Sequence, residues 1–532
     1  MTTTSHRTAL IPKARTAFET AVLAPLPDQK PESRRPRRSK WEAGLALGLT
    51  ALVITVMAYN ITGFPAASDD EGTYLAQAWA VANGKGLAHY TYWYDHPPLA
   101  WIQLAGLSWL PGLFGMHAPA VAAGRVAMLP VVATSLLLVY LICRRLGMAV
   151  WAAAGALLIF GLSPLAVTMD REIYLDSFAV AWMLAALALV LSPRRHLWHY
   201  AAAGAATAIA VLSKETMLIA APAVVVAMWQ NAARSSTRPW ALGGYTSGLV
   251  LIGAFYPLYA ALRGELFPGT GHVSLIGAWQ FQLASRSGSG SIFQSGSGAA
   301  NLLHSWLYYD PIILVAGLVA TVAVIWVRRL RAPAVAAAIV TLVALRPGGY
   351  LPAMYVVQVL PFFAIVIAGA VDQAVRLAPG GRRWWRPAVL TVVAVLIATL
   401  VVPRWYAGDR RALTADDNAG YTAAAEYLRT RVPDPAHTTV VVDNVLWLDC
   451  VRAGYPSERV IWFYKLDLDP AVAARLEGGW RDVDYVVSSP AMRQDPASLP
   501  TVNTLLTNST LIAEFGPADG RIQIRRIDKE KS

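Results

Sequence analysis

Apolar residues fill most of this chain in long runs separated by short polar knots. The runs cover about residues 43–63, 119–142, 149–168, 177–192, 198–212, 216–230, 241–262, 311–327, 332–346, 351–373 and 387–403. Most are roughly 17–22 residues long, and a helix of that length crosses a hydrocarbon core of about 30 Å. The pattern predicts an all-α polytopic membrane domain of about eleven transmembrane helices over residues 41–403. Residues 1–40 are different: polar, proline-containing and basic, ending in Ser33-Arg34-Arg35-Pro36-Arg37-Arg38-Ser39-Lys40. They read as a disordered cytoplasmic tail. Beyond Arg404 the pattern changes again. Asp416–Arg431 reads as an amphipathic helix, while Thr438–Asp443, Val460–Tyr464 and Val483–Ser488 read as strands, which predicts a small α/β domain over 404–532.

Charge adds orientation. The composition is 56% hydrophobic and 15% charged, with a formal net charge of +12. That surplus does not indicate nucleic acid, because the basic residues sit in small clusters between apolar runs. Arg144-Arg145, Arg194-Arg195, Arg234 with Arg238, Arg328-Arg329-Arg331 and Arg376 through Arg386 fall on alternate connections, which marks the cytoplasmic side. Eleven crossings then put the loops at 64–118 and 263–310, and the C-terminal domain, on the outer face of the plasma membrane. Cys143 and Cys450 are the two cysteines, one in a run and one in the polar C-terminal part, so no disulfide scaffold is expected. No glycine-rich phosphate loop follows any C-terminal strand, so that domain reads as a packing or recognition module. The run SRSGSGSIFQSGSG in loop 263–310 is compatible with a flexible linker or with a lid.

Candidate chemistry concentrates on the outer face. The stretch Ser68–Trp109 opens with Asp69, Asp70 and Glu71, continues through Tyr74 and the aromatic run Tyr90, Tyr92, Trp93, Tyr94, and reaches Asp95-His96-Pro97-Pro98. Asp170, Arg171, Glu172 and Asp176 begin a later run, Lys214-Glu215 interrupts two others, and Arg346 precedes Pro347-Gly348-Gly349-Tyr350. Charges at span ends can simply terminate helices in water, yet an acidic cluster where a membrane run stops is a functional candidate. A carboxylate such as Asp70, with Glu71 and Asp69 beside it, can accept a proton from a hydroxyl or amine nucleophile. His96, Lys214 and Arg346 can stabilise a phosphate leaving group. Asp70, Glu71 and Asp176 are the set a divalent metal ion would use, and no other cofactor is implied. Tyr74, Tyr92, Trp93, Tyr94 and Asp95 offer sugar or acceptor contacts. Together these parts fit sugar transfer from a lipid phosphate.

Asp70-Glu71-x-x-Tyr74, Asp95-His96-Pro97-Pro98-Leu99, Tyr174-Leu175-Asp176 and Leu212-Ser213-Lys214, set among many spans, resemble the C-type (GT-C) membrane glycosyltransferases. The resemblance covers about residues 40–375 and is nearest to the branch of dolichyl-phosphate-mannose protein mannosyltransferases and the bacterial lipid A aminoarabinose transferase. It implies a polyprenyl-phosphate sugar donor, an extracytoplasmic acceptor (protein, glycan or lipid), and a single inverting displacement. It also implies that Asp70 is the base, that Asp176 with Glu172 and Arg171 forms a second acidic motif, and that Lys214 and Arg346 contact phosphate. The family's lysine before Pro-Pro is His96 here, which makes that contact pH-dependent. Arg125 matches a recurrent family arginine to which the resemblance assigns no role. Two rivals stay open: a transporter or flippase for lipid-linked glycans, disfavoured by charges at span ends instead of the midplane, and a non-catalytic envelope assembly protein. The abundance of Ala, Arg and Trp hints at a high-GC bacterial source.

Overall fold

A computed structural model describes residues 40–90, 93–113, 119–232, 235–377, 385–494 and 498–529. The basic tail up to residue 39, Tyr92, Arg234 and most of the Arg376–Arg386 cluster (378–384) lie outside the described residues. Every apolar run of the sequence contains helix, though several are broken within their length. In chain order the helices that matter here are α1 (Lys40–Ala58), α2 (Asp69–Ala82), α3 (Leu99–Leu107), α4 (Leu129–Arg145), α5 (Val150–Leu162), α6 (Leu175–Val190), α7 (Leu197–Ser213), α8 (Ala221–Asn231), α9 (Arg238–Gly253), α10 (Pro311–Val324), α11 (Arg331–Ala344), α12 (Leu360–Arg376) and α13 (Trp385–Leu396). The chain is a multi-pass membrane protein.

Among the described residues, length and apolarity together qualify five continuous helical stretches as spans, or six if the sharply bent pair Gly298–Tyr309 and Pro311–Val324 is one, against the eleven expected. α5, α6, α7 and α11 are apolar but shorter. The shortfall has a physical origin in breaks within the runs: Ser163-Pro164 stops α5, and Lys214 stops α7 in an extended conformation before a 3₁₀ turn, Glu215–Ala220. The bundle packs through small residues. A Cβ on Gly204 of α7 would lie 1.9 Å from the Tyr245 carbonyl oxygen of α9, so these two backbones touch only because that position is glycine.

Past α13 come α14 (Ala419–Thr430) and α15 (Asn444–Arg452), with strands β1 (Val440–Val442), β2 (Val460–Trp462), β3 (Tyr485–Ser488), β4 (Ser509–Phe515) and β5 (Ile522–Ile527). The sheet order is β2-β1-β3-β5-β4. β1 is parallel to β2 and β3, and the β4–β5 hairpin joins antiparallel through β5. The three parallel strands coincide with the expected ones. The hairpin escaped notice because β4, an edge strand bulged at Leu511–Ala513, is exposed along most of its length and shows no clean alternation.

This sheet domain is clamped to the membrane domain. Tyr90, on the loop after α2, inserts its hydroxyl at the open edge of β2, donating to the Val460 carbonyl (3.0 Å) and accepting from the Trp462 amide (2.9 Å). His89 beside it is enclosed by Tyr90 and Trp447, each 4.1 Å away between ring centroids; burial drives its pKa down to about 3. The Ala120 amide donates to Asp449 of α15 (2.9 Å). Gly72 of α2 meets α15 so closely that a Cβ there would lie 2.2 Å from the Asn444 carbonyl oxygen.

Candidate active site

α2 owes its start to a capping box: the Ser68 amide donates to the Glu71 carboxylate (3.1 Å), and three acidic residues occupy the first turn, where the helix dipole favours them. Its face with Asp69, Asp70, Thr73, Tyr74 and Gln77 forms one wall of a cavity of about 1150 Å³. On a helix these residues make two rows. Asp70 and Tyr74 look toward His96 and Lys214; Tyr74 and His96 are 6.5 Å apart between ring centroids. Asp69, Thr73 and Gln77 line the side of the sheet domain, where Thr73 is bonded to Asn444.

Lys214 reaches the cavity because α7 ends there. Its Nζ lies 2.9 Å from His96 Nε2, and His96 Nδ1 lies 3.2 Å from both Glu215 oxygens. Burial and Lys214 oppose protonation of His96, but Glu215 and Asp95 outweigh them and raise its pKa. Arg346 and Arg286 line the same cavity, with Arg286 stacked 3.5 Å over Tyr350. Asp70 is open to the cavity but enclosed by protein on its other sides. Burial raises its pKa, against the pull of Lys214 and His96. Asp69 is raised to about 7 by burial and by the neighbouring Asp443 and Asp70 carboxylates.

The loop at 263–310 forms a wall of this cavity. Helical turns at Leu275–Gln280 and Phe281–Ser285 lie along it, and Gln282 donates to Asp95. The glycine–serine run is tied down, with the Ser289 amide donating to Gly349 (2.9 Å) and the Leu351 amide to the Ser289 hydroxyl (2.9 Å). Of the two readings left open for it, the free linker does not fit these bonds.

Several expected site residues are elsewhere. Glu71 is fully buried, held bidentately by Arg125 (2.8 and 2.7 Å), and accepts from the Ile173 amide (3.1 Å); it points away from the cavity. This pair also gives Arg125 its role: it additionally donates to the Ile61 and Pro65 carbonyls and locks α2 to the end of α1. Arg171 donates to backbone carbonyls of Val56, Tyr59 and Ala412, and Glu172 accepts from the Tyr174 hydroxyl (2.6 Å); neither lines the cavity. Asp176 lies behind it, accepting from Gln358 (2.6 Å), which also bonds Thr216 (2.6 Å), so it braces the turn that carries Lys214. Tyr94 is buried at a φ of 58° with its hydroxyl on Glu265, and anchors the base of the outer loop instead of offering a sugar contact. Trp93, Asp95 and Tyr74 do line the cavity. Among the described residues no group of three or more His, Cys, Asp or Glu is arranged to hold a metal ion, and Glu71 is turned away from the cavity onto Arg125.

Sequence reasoning missed the contribution of the sheet domain. Asn444 follows β1, while Trp462 ends β2 and leads into Tyr464 and Lys465; all four line the cavity. The available signal was position, since ligands of parallel sheets gather at the carboxyl ends of strands. Lys465 is buried, paired with Asp469 (3.2 Å), and sits 3.6 Å over the ring of Trp93.

Residues 95–256 match the family model described as dolichyl-phosphate-mannose-protein mannosyltransferase. No curated protein matches the sequence. Among solved structures the chain is similar to ArnT from Cupriavidus metallidurans bound to undecaprenyl phosphate, with a TM-score of 0.59 and 16% identity over 92% of this chain and 98% of that one. The apo state of the same protein gives a TM-score of 0.60, 16% identity and coverage of 91% and 98%. The archaeal oligosaccharyltransferase AglB from Archaeoglobus fulgidus, in complex with an inhibitory peptide and a dolichol-phosphate, gives a TM-score of 0.50 and 13% identity over 93% of this chain and 75% of that one.

Proposed function

Proceeding from a GT-C fold of the mannosyltransferase and ArnT branch, we propose that this protein is an integral-membrane glycosyltransferase. It takes a sugar from a polyprenyl-phosphate donor and passes it to an extracytoplasmic acceptor. One observation carries the reading: a single cavity sets the carboxylates Asp69 and Asp70 opposite the Lys214–His96 pair. A phosphate monoester leaving group carries negative charge that Lys214 stabilises, with His96 beside it held by Glu215. An acceptor hydroxyl on the α2 side gives its proton to the Asp carboxylate as its oxygen bonds the anomeric carbon. The bond from that carbon to the phosphate oxygen breaks, and its electron pair leaves with polyprenyl phosphate. One displacement inverts the anomeric centre. The matches to ArnT bound to undecaprenyl phosphate and to AglB with dolichol-phosphate support the donor class by analogy of fold. Orientation with the cavity outside rests on the arginine distribution.

The test is release of polyprenyl phosphate from a panel of polyprenyl-phosphate sugars by purified protein. Wild type acts on one donor. Asp70→Asn and Asp69→Asn are compared while each stays folded: the base is the residue whose loss removes turnover. Full activity in the double variant would refute carboxylate assistance, and silence of the wild type with every donor and acceptor would refute the transferase.

A further inference from the structure

α13 does not stop where its apolar run ends. It continues through a π-helical turn, Ile397–Val401, into the helix Val402–Thr414. The resulting rod is about 30 residues long, roughly 45 Å, against a hydrocarbon core of about 30 Å. No residue from 387 to 411 is buried by the rest of the chain, so the rod stands at the edge of the bundle. Arg404, Arg410 and Arg411 are all exposed, and they fall within about 120° of one another around the axis. The other side of the helix faces the protein: Gly408 lies against Pro164, and Arg171 donates to the Ala412 carbonyl (3.0 Å).

Two contacts fix the depth of these arginines. Arg411 donates to the Tyr308 hydroxyl (3.3 Å) at the end of the helix Gly298–Tyr309, which is turned 103° from α10. That helix runs near the membrane plane where α10 crosses upright, and Tyr308 and Tyr406 are exposed, as tyrosines at headgroup level are. Asn60, between α1 and the cavity helix α2, donates to the Ala412 (3.2 Å) and Ala415 (2.8 Å) carbonyls, which places the arginines on the cavity side of the membrane. Topology gives cations no use there, because the arginines that orient a membrane protein are those on the cytoplasmic side. The fold gives them little more. Among the described residues none of the three forms an ion pair; Asp409 is beside Arg171, and Asp416 and Asp417 follow the helix end.

We propose that Arg404, Arg410 and Arg411 bind the phosphate groups of anionic phospholipids in the leaflet on the cavity side. Charge, depth and an open face agree with that occupant, and a guanidinium pairs with phosphate oxygens in a planar fork. Because the rod leads directly into α14 and the sheet domain, the contact tethers that domain to the membrane surface. The proposal goes beyond the transferase reading and does not depend on it.

The test reconstitutes the full chain in phosphatidylcholine vesicles. These contain a minor fraction of phosphatidylglycerol or of phosphatidylcholine, each carrying the same diazirine in its acyl chain next to the glycerol. After irradiation and chymotryptic digestion, mass spectrometry quantifies labelling of residues 402–414, with the Arg328–Arg331 segment as internal standard. Phosphatidylglycerol is expected to label 402–414 roughly fivefold or more above phosphatidylcholine, the effect of one or more basic residues at an anionic surface. In the triple variant Arg404→Gln, Arg410→Gln, Arg411→Gln the two lipids should label equally, while the corresponding triple change to Lys keeps most of the preference. Near-ultraviolet circular dichroism checks that both variants are folded. Equal labelling by the two lipids in the wild type would overturn the proposal, as would a preference that survives the change to Gln. Absence of labelling by either lipid would mean that a second copy or another protein covers the face, which also overturns it. Unlabelled polyprenyl phosphate should compete no better than unlabelled phosphatidylglycerol; stronger competition would give the site to the donor lipid instead.

Discussion

Gly72→Ala tests whether the sheet domain must sit where it does for the cavity to work. A Cβ at residue 72 would lie 2.2 Å from Asn444 O, 2.3 Å from Asn444 C and 2.6 Å from Val445 N. All three are backbone atoms, so no side chain can swing aside. Restoring ordinary contact requires α2 and α15 to separate by about 1 Å, and overpacking of this kind destabilises by about 1–3 kcal/mol. The same movement carries Asp69 and Asp70 away from Asn444 and Lys465. A misplacement of about 1 Å in a reacting geometry lowers turnover by up to roughly 100-fold. The assay is polyprenyl phosphate release, with thermal stability measured in parallel. Gly106→Ala is the control, since a Cβ there meets nothing within 4 Å and alanine is favoured in a helix by about 1 kcal/mol. Wild-type turnover and stability in Gly72→Ala would refute the claim that this contact positions the site.

Glu71→Gln leaves Arg125 buried without its counter-charge, a change worth about 3–5 kcal/mol; the expected result is a thermal midpoint lowered by several degrees, and an unchanged midpoint would count against a structural role. Lys214→Met should reduce polyprenyl phosphate release by about 100- to 1000-fold, as for loss of one transition-state charge contact, with the variant still folded; retained turnover would remove Lys214 from the phosphate site. Asp69 gains pKa on folding, from 3.8 to about 7. The folded state therefore holds its proton more tightly, and this contribution to stability is complete below about pH 3.8 and lost as pH rises through about 7. If Asp69 is the base, turnover rises over the same upper part of the window. Asp443→Asn, which removes one of the neighbouring charges that raise it, should move the acid limb of the rate profile to lower pH; an unmoved limb assigns it to another group.

Much of the site was legible because its residues cluster in one segment. Asp69, Asp70, Tyr74, Trp93, Asp95 and His96 fall within 28 consecutive positions and line one cavity. A charged residue in an apolar run is equally visible, which is how Lys214 and Arg346 came to notice. What a local pattern does not reveal is which way a side chain turns. Glu71 and Asp70 are adjacent and chemically alike, yet successive helical residues point about 100° apart. One meets the cavity and the other meets Arg125. The same ambiguity hid the true setting of Tyr94 and Arg171.

The sequence by itself determined that the apolar runs form helices (though not which of them are continuous spans), the three parallel strands and the acidic segment, because apolarity and charge at a span end are properties of neighbouring residues. Only the tertiary structure decided that the sheet domain completes the cavity. Trp462 and Lys465 lie far along the chain from Asp70, and nothing in their local sequence specifies that partner. Their meeting depends on Gly72 lacking a side chain against α15, on Tyr90 capping the edge of β2, and on Ala120 bonding Asp449. Each is a contact across hundreds of residues, formed only once both domains are folded and packed together.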